Sequence, residues 1–95
     1  MDTLVIKFGG SGIRTPSGFR RLAAIIEKRR RDFPKIIVVI SAMGDMTDNL
    51  LKLAKAVHSA PPATETATLL ATGETISGTL LAIALRNKGL KARSF

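Results

Sequence analysis

The chain has 95 residues, the size of one small domain or of part of a larger one. Apolar residues make up 45% and aromatic residues only 4%, so a folded core must be largely aliphatic, and the absence of cysteine excludes a disulfide framework or a thiolate metal site. The formal net charge is +8, a surplus that can indicate nucleic acid or an acidic surface as a partner.

The first part of the chain predicts a strand, a helix and a second strand. Residues 3–8 are apolar enough for a strand that is buried on both faces. A loop over residues 9–16 leads to a helix that Ser17 would cap and that runs to about residue 32. Residues 36–40 form a run of β-branched side chains, which predicts the clearest strand of the sequence.

The second part predicts further helices and the start of a third strand. After a loop over residues 41–45, Thr47 is a candidate N-cap for a helix over residues 48–57. Beyond the prolines at 61 and 62 we expect a short helix over 64–71, an interruption at Gly73 and a longer helix to about residue 88. Gly89 suits the position after a helix end, and residues 91–95 begin a third extended segment. The side chains expected to face inward are Leu50, Leu51, Ala54, Val57, Ile76, Leu80, Ile83 and Ala84.

This order of elements predicts an α/β fold with a parallel sheet and right-handed crossovers. Only the first three strands and the helices between them are present, and three parallel strands leave two open edges. Such a sheet is a poor independent unit. We therefore expect residues 1–95 to be the N-terminal part of a larger domain, with no complete second domain.

Much of the positive charge is concentrated in the first helix and its exit. The basic residues are Arg20, Arg21, Lys28, Arg29, Arg30, Arg31 and Lys35. The apolar residues of the same helix are Phe19, Leu22, Ala23, Ile25 and Ile26. This pattern predicts an ordinary solvated helix face, and cations in the last turn also stabilise a helix C-terminus. No aromatic stacking residues alternate with the basic ones, which argues against nucleic acid as a partner.

The location of the protein can be predicted from what its sequence lacks. No apolar run approaches the roughly 20 residues that span a bilayer. The N-terminus also lacks the basic and apolar regions of a signal peptide. We expect a cytoplasmic protein without a membrane partner.

Two loops follow the predicted carboxyl ends of the strands, where doubly wound sheets bind ligands. In the first, Lys7 precedes Gly9, Gly10 and Ser11. Glycines let backbone N–H groups approach a phosphate closely, and the lysine adds a positive charge. By itself this segment is more often only a turn.

The second loop and the helix after it supply groups that suit an amino acid. Ser41 and Thr47 offer hydroxyls for a carboxylate, although a turn or a helix cap would explain them as well. Glu74, at an expected helix start, could pair with an ammonium group or merely cap its helix. Asp45 and Asp48 fit loop and helix-start positions better than metal ligation. Together these groups indicate phosphorylation of an amino acid.

Three segments resemble the start of the catalytic domain of aspartokinases, in the amino-acid kinase family. The resemblance extends over essentially the whole chain, and the Ser-Ala-Met-Gly-x-x-Thr-Asp loop is its most specific part. The segments are Lys7-Phe8-Gly9-Gly10-Ser11, residues 39–48 and Thr72-Gly73-Glu74.

The resemblance implies an αβα sandwich with a mainly parallel sheet. It implies transfer of the ATP γ-phosphoryl group to the side-chain carboxylate of L-aspartate with Mg²⁺, which gives 4-phospho-L-aspartate, the first step towards lysine, threonine and methionine. It also implies ACT regulatory domains and a homo-oligomer. The residues that it assigns are Lys7 as the catalytic lysine, Lys7, Gly9, Gly10 and Ser11 at the nucleotide phosphates, and Ser41, Thr47 and Glu74 at the aspartate.

The sequence also departs from the family pattern. Gly12 stands where the family has a serine hydroxyl. The family's nucleotide-base pocket and later substrate-binding residues fall beyond Phe95, so we expect residues 1–95 alone to be inactive. Two alternatives remain open, namely another amino-acid kinase with a different substrate and a non-catalytic binding module that uses the basic helix.

Overall fold

The computed structural model describes residues 2–95, and Ser11 by its backbone alone. Two strands, β1 (Thr3–Phe8) and β2 (Lys35–Ile40), pair in parallel. Their register places Thr3 beside Lys35 and Phe8 beside Ile40. Both predicted strands are confirmed, as expected for runs of β-branched and aliphatic residues.

Three α-helices complete the described part of the chain: α1 (Pro16–Arg29), α2 (Met46–Val57) and α3 (Ala63–Asn87). Thr15 occupies the N-cap position of α1, so the prediction of Ser17 as the cap is wrong. Pro16 explains the shift, because its fixed φ angle suits the first helical position. The Ser17 hydroxyl lies 2.8 Å from that of Thr15. Asp45, and not Thr47, occupies the N-cap position of α2.

Helix α3 is a continuous helix of 25 residues, so the interruption predicted at Gly73 is wrong. Gly73 is buried, and a Cβ built on it would lie 2.9 Å from the Cβ of Ala42. The glycine therefore allows close packing and does not end a helix. As a consequence, Glu74 lies within α3 and not at its N-terminus.

Helix α3 is long and apolar enough to cross a membrane, by length and composition alone. No segment of this kind was expected from the sequence. One such helix is weak support for a membrane span, because a core helix can pass the same test. Helix α3 packs against α1, α2 and β2. Its end is also tied to α1 by an ion pair of 3.5 Å between the Lys88 Nζ and the Glu27 Oε1 atoms. In the described residues α3 thus packs as one helix of an α/β layer.

The core lies between one face of the sheet and the helices α1 and α3. Ile25, at 43% exposed, is the one residue of the predicted apolar face of α1 that is not buried or half-buried. The basic residues of that helix are exposed, as predicted. The buried core residues are Ile13, Phe19, Leu22, Ala23, Ile26, Leu81 and Leu85, and the strand residues packed against them are Ile6, Phe8, Ile36, Val38 and Ile40.

The inward faces predicted for the later helices are partly wrong. The buried stripe of α3 comprises Gly73, Ser77, Leu81 and Leu85. Ile76, Leu80 and Ile83 are exposed instead, because the close approach at Gly73 sets the rotation of the helix. Helix α2 has no fully buried residue, and its Val57 is 89% exposed.

The second face of the sheet is open in the described residues. Val5, Ile37 and Val39 are 63%, 55% and 49% exposed, so burial of the strands on both faces is not found. Parallel sheets are normally covered on both faces. This apolar surface therefore needs a further layer to complete an αβα sandwich.

The third strand predicted over residues 91–95 is also not found, and the sheet of the described residues has two strands. Gly89 lies just after the end of α3, as predicted. Its φ is 83°, and the chain turns back at this residue. The Arg86 Nε then donates to the Ala92 carbonyl at 2.8 Å. The segment then runs back along α3, where Ser94 lies near Gly78, without strand pairing among the described residues.

We predict opposite effects of alanine at two glycines of α3. At Gly73 the added Cβ forces the helix from Ala42, which should lower the free energy of unfolding by about 1–2 kcal/mol despite the better helix propensity of alanine. At Gly78 the nearest heavy atoms would be 3.9 Å away, so Gly78→Ala should stabilise the protein by about 0.5–1 kcal/mol. Urea titration of both variants measures the difference, and equal stability would contradict the packing at Gly73.

Candidate active site

The two loops that follow the strands lie side by side at the carboxyl edge of the sheet. The Ser41 backbone N–H donates to the Phe8 carbonyl at 3.1 Å, and the Gly44 N–H donates to the Gly10 carbonyl at 3.0 Å. The expectation that parallel strands bring both loops to one edge is therefore confirmed.

Gly10 permits the closest approach between these loops. A Cβ at this position would collide with the Ala42 carbonyl oxygen, so no other residue fits without a shift of the backbone. Gly10 begins a short 3₁₀ turn over Gly10–Gly12, and its carbonyl also accepts the Ile13 N–H at 3.2 Å. The fully buried Ile13 anchors the end of this turn in the core. The first loop thus has a fixed backbone path.

Lys7 lies near the end of β1, on the open face of the sheet. It is in register with Val39 and is exposed. Among the described residues, none forms a hydrogen bond or an ion pair with its ammonium group. The side chain is therefore available to an anion at the edge where the two loops meet.

The two hydroxyl residues differ in their local structure. Ser41 is half-buried and follows β2 directly, whereas Thr47 is exposed in the first turn of α2. Thr47 lies inside the helix and not at the N-cap, so the interpretation of this residue as a helix cap is wrong. Neither hydroxyl bonds to another residue in the part of the chain that the structure describes.

Glu74 is placed near the second loop by the contact at Gly73. Besides Ala42, a Cβ on Gly73 would meet the Met46 sulfur at 3.4 Å. The turn of α3 that carries Glu74 is therefore adjacent to the loop that contains Ser41. The carboxylate is exposed and lies too far along α3 to interact with the helix N-terminus, contrary to the expectation from sequence.

The structure brings these elements to one edge without direct contact between the predicted side chains. No hydrogen bond or ion pair within residues 2–95 joins Lys7, Ser41, Thr47 or Glu74 to one another. Gly9 and Gly10 lie in the same loop, and a Cβ on Gly9 would meet no atom within 4 Å. Among the described residues, the side chains of Lys7 and Glu74 are thus both exposed and not paired with each other.

Sequence reasoning did not identify Arg14. Its Nη1 lies 3.1 Å from the Asp45 Oδ2, so the pair joins the two loops across 31 positions of sequence. Neither spacing nor motif could have revealed this pair. An open cleft of about 330 Å³ lies beside it. The cleft is lined by Arg14, Met43, Gly44, Asp45, Met46, Asn49 and Leu50.

Comparison with known proteins points to one family of kinases. The family model described as "Amino acid kinase family" matches residues 2–95. The "Aspartokinase" of Mycolicibacterium smegmatis is 44% identical over 95 residues, and the "Aspartokinase 2" of Bacillus subtilis is 41% identical over 97. Each match covers 100% of this chain but 23% of the relative. The chain thus spans about a quarter of the length of these curated relatives.

A solved structure has the same fold as this chain. The crystal structure of aspartate kinase from Synechocystis superposes with a TM-score of 0.86 at 35% sequence identity. The match covers 92% of this chain and 15% of that one. With the family model matched along nearly the whole sequence, the chain belongs to the amino acid kinase family.

Proposed function

We propose that this chain is the N-terminal part of the catalytic domain of an aspartokinase, which transfers the γ-phosphoryl group of ATP to the side-chain carboxylate of L-aspartate. One observation carries the proposal. The loop after β1, the loop after β2 and the turn of α3 with Glu74 meet at one edge of the sheet. All 95 residues of this chain align, at 44% identity, with 23% of an aspartokinase. The activity belongs to the longer protein, and residues 1–95 alone are expected to be inactive.

Phosphoryl transfer depends on positioning and on neutralisation of charge more than on covalent chemistry. In our proposal the Lys7 ammonium neutralises charge on the transferring phosphoryl group. The backbone of Gly9, Gly10 and Ser11 lies beneath the nucleotide phosphates. The attacking carboxylate of aspartate is already ionised at neutral pH, so the reaction needs no general base.

The aspartate would be held on the other side of the same edge. The hydroxyls of Ser41 and Thr47 and the carboxylate of Glu74 are exposed or half-buried and are not committed to other described residues. Hydroxyls can donate to a carboxylate, and Glu74 can accept from the α-ammonium group. These groups would orient the substrate so that its side chain faces the phosphoryl group.

The proposed reaction also uses Mg²⁺. Within the described residues no cluster of three or more His, Asp or Glu side chains is placed to hold a metal ion. Mg²⁺ in kinases is commonly held by substrate phosphates, waters and one or two carboxylates. In our proposal Mg²⁺ therefore binds together with ATP. The bound ion would neutralise charge on the phosphates.

The wider setting is proposed on the same basis. We infer a cytoplasmic enzyme of amino-acid biosynthesis, at the first step towards lysine, threonine and methionine. The absence of cysteine is consistent with a reducing compartment. A homo-oligomer is also expected, and the exposed apolar residues of α3 offer surface for such contacts or for the rest of the catalytic domain.

The first test of this function is Lys7→Met in the full-length protein. Loss of the cation should lower the rate of aspartate-dependent ADP formation by about 10²–10³, because it removes charge stabilisation from the transition state. Lys35→Met is the matched control, since Lys35 lies exposed on the same face at the opposite end of the sheet. Near-normal turnover of Lys7→Met would contradict the assignment of Lys7.

The second test concerns the substrate. Glu74→Gln should raise the KM for aspartate by about 10- to 100-fold and leave the KM for ATP nearly unchanged, since a bond to a charged group is lost. Glu65→Gln, in the first turn of the same helix, is the control. The wild type should also be assayed with other carboxylates, carbamate and phosphorylated acceptors. Preference for one of them over aspartate would favour another amino-acid kinase.

A further inference from the structure

We propose that the ion pair between Arg14 and Asp45 positions the second loop for substrate binding, with Arg14 and Asp45 as positioning residues. The proposal rests on the proposed function, because it assigns the pair to the aspartate side of the same site. Asp45 lies between Ser41 and Thr47, the two residues proposed to hold aspartate. A contact that fixes Asp45 therefore also restricts the hydroxyls on either side of it.

The first observation is that the Asp45 side chain does not cap α2, although Asp45 occupies its N-cap position. An aspartate at an N-cap usually accepts a hydrogen bond from the second or third helical N–H. Here Asp45 occupies the N-cap of α2 but makes no such bond with its side chain, and its φ of −89° and ψ of 9° are not those of a usual cap. Its carboxylate instead reaches Arg14 at 3.1 Å. A local preference is thus overridden by a long-range contact.

The second observation is that Gly44, which has no side chain, leaves space for the Arg14 side chain. Gly44 has a φ of 36°, and a Cβ built on it would lie 3.0 Å from the Arg14 Cγ. The Arg14 side chain therefore lies across the backbone of Gly44 to reach Asp45. A larger residue at position 44 would obstruct this path and would also have a strained backbone.

The third observation is that the start of α2 is held to α3 through Met46, and to the first loop through the Arg14 side chain. Helix α2 has no fully buried residue and packs mainly on α3. The backbone bonds of Ser41 and Gly44 fix the first part of the loop. Downstream of Gly44, the pair with Arg14 is the side-chain contact that joins the described part of the first loop to the start of α2. The pair therefore ties the residue two positions before Thr47 to the first loop.

The exposure of the pair sets the size of its effect. The side chains of Arg14 and Asp45 are 58% and 67% exposed. Exposed ion pairs contribute little and are screened by salt. We therefore expect an adjustment of substrate affinity that weakens at high ionic strength, and not an essential contact.

The test compares Arg14→Ala, Asp45→Asn and the double variant in the full-length protein. Each single change should raise the KM for aspartate by about two- to five-fold, and the double variant should show the same rise, because either change breaks the same pair. The KM for ATP should stay constant. Arg14→Lys should raise the KM for aspartate less than Arg14→Ala does. High salt should raise the KM of the wild type towards that of the variants. Arg20→Ala, an exposed arginine of α1, is the control.

Hydrogen exchange provides a readout that does not depend on activity. Amides of residues 41–47 should exchange faster in Arg14→Ala and Asp45→Asn than in the wild type, whereas those of residues 20–29 should not change. An unchanged KM for aspartate, additive effects in the double variant or unchanged exchange would overturn the proposal. If the wild type does not phosphorylate aspartate, the proposed function fails, and exchange over residues 41–47 alone decides whether the pair holds the loop.

Discussion

The position of Ala42 between two glycines is the constraint on which the site depends. Its carbonyl oxygen lies against Gly10 on one side, and its Cβ lies against Gly73 on the other. A side chain at either glycine would push the second loop away from the first loop or from α3. Ala42 itself is buried, so the contact cannot be relieved towards solvent. One small residue thus sets the spacing of three elements from distant parts of the chain.

The segments that this spacing brings together carry groups of different chemistry. The lysine of β1 and the glycine turn suit phosphate. The hydroxyls and the carboxylate suit an amino acid. The uncovered face of the sheet, with Val5, Ile37 and Val39, agrees with a chain that spans 23% of its curated relatives.

Periodicity and composition predicted β1, β2, the helices α1 and α2 and most of the core face of α1, because these follow from local patterns of apolar residues. They failed where a distant contact decided the outcome. Gly73 resembles a helix breaker in the sequence, yet tertiary packing against Ala42 keeps α3 continuous and fixes its rotation. Residues 91–95 have strand-like character but pair with no strand among the described residues. The pair of Arg14 and Asp45 could not be predicted, since its members are 31 positions apart and belong to no motif.

The kcat/KM of Gly10→Ala in the full-length protein tests most directly whether the packing around Ala42 sets the geometry of the site. The new methyl group would displace the Ala42 carbonyl and the loop that carries it, and a misplacement of about 1 Å in a kinase site can cost about 100-fold in rate. Gly12→Ala is the matched control in the same turn, because a Cβ there would meet no atom within 4 Å. We expect a loss of about 100-fold in kcat/KM for Gly10→Ala and a change within about twofold for Gly12→Ala. Equal activity of the two variants would contradict this role of the packing.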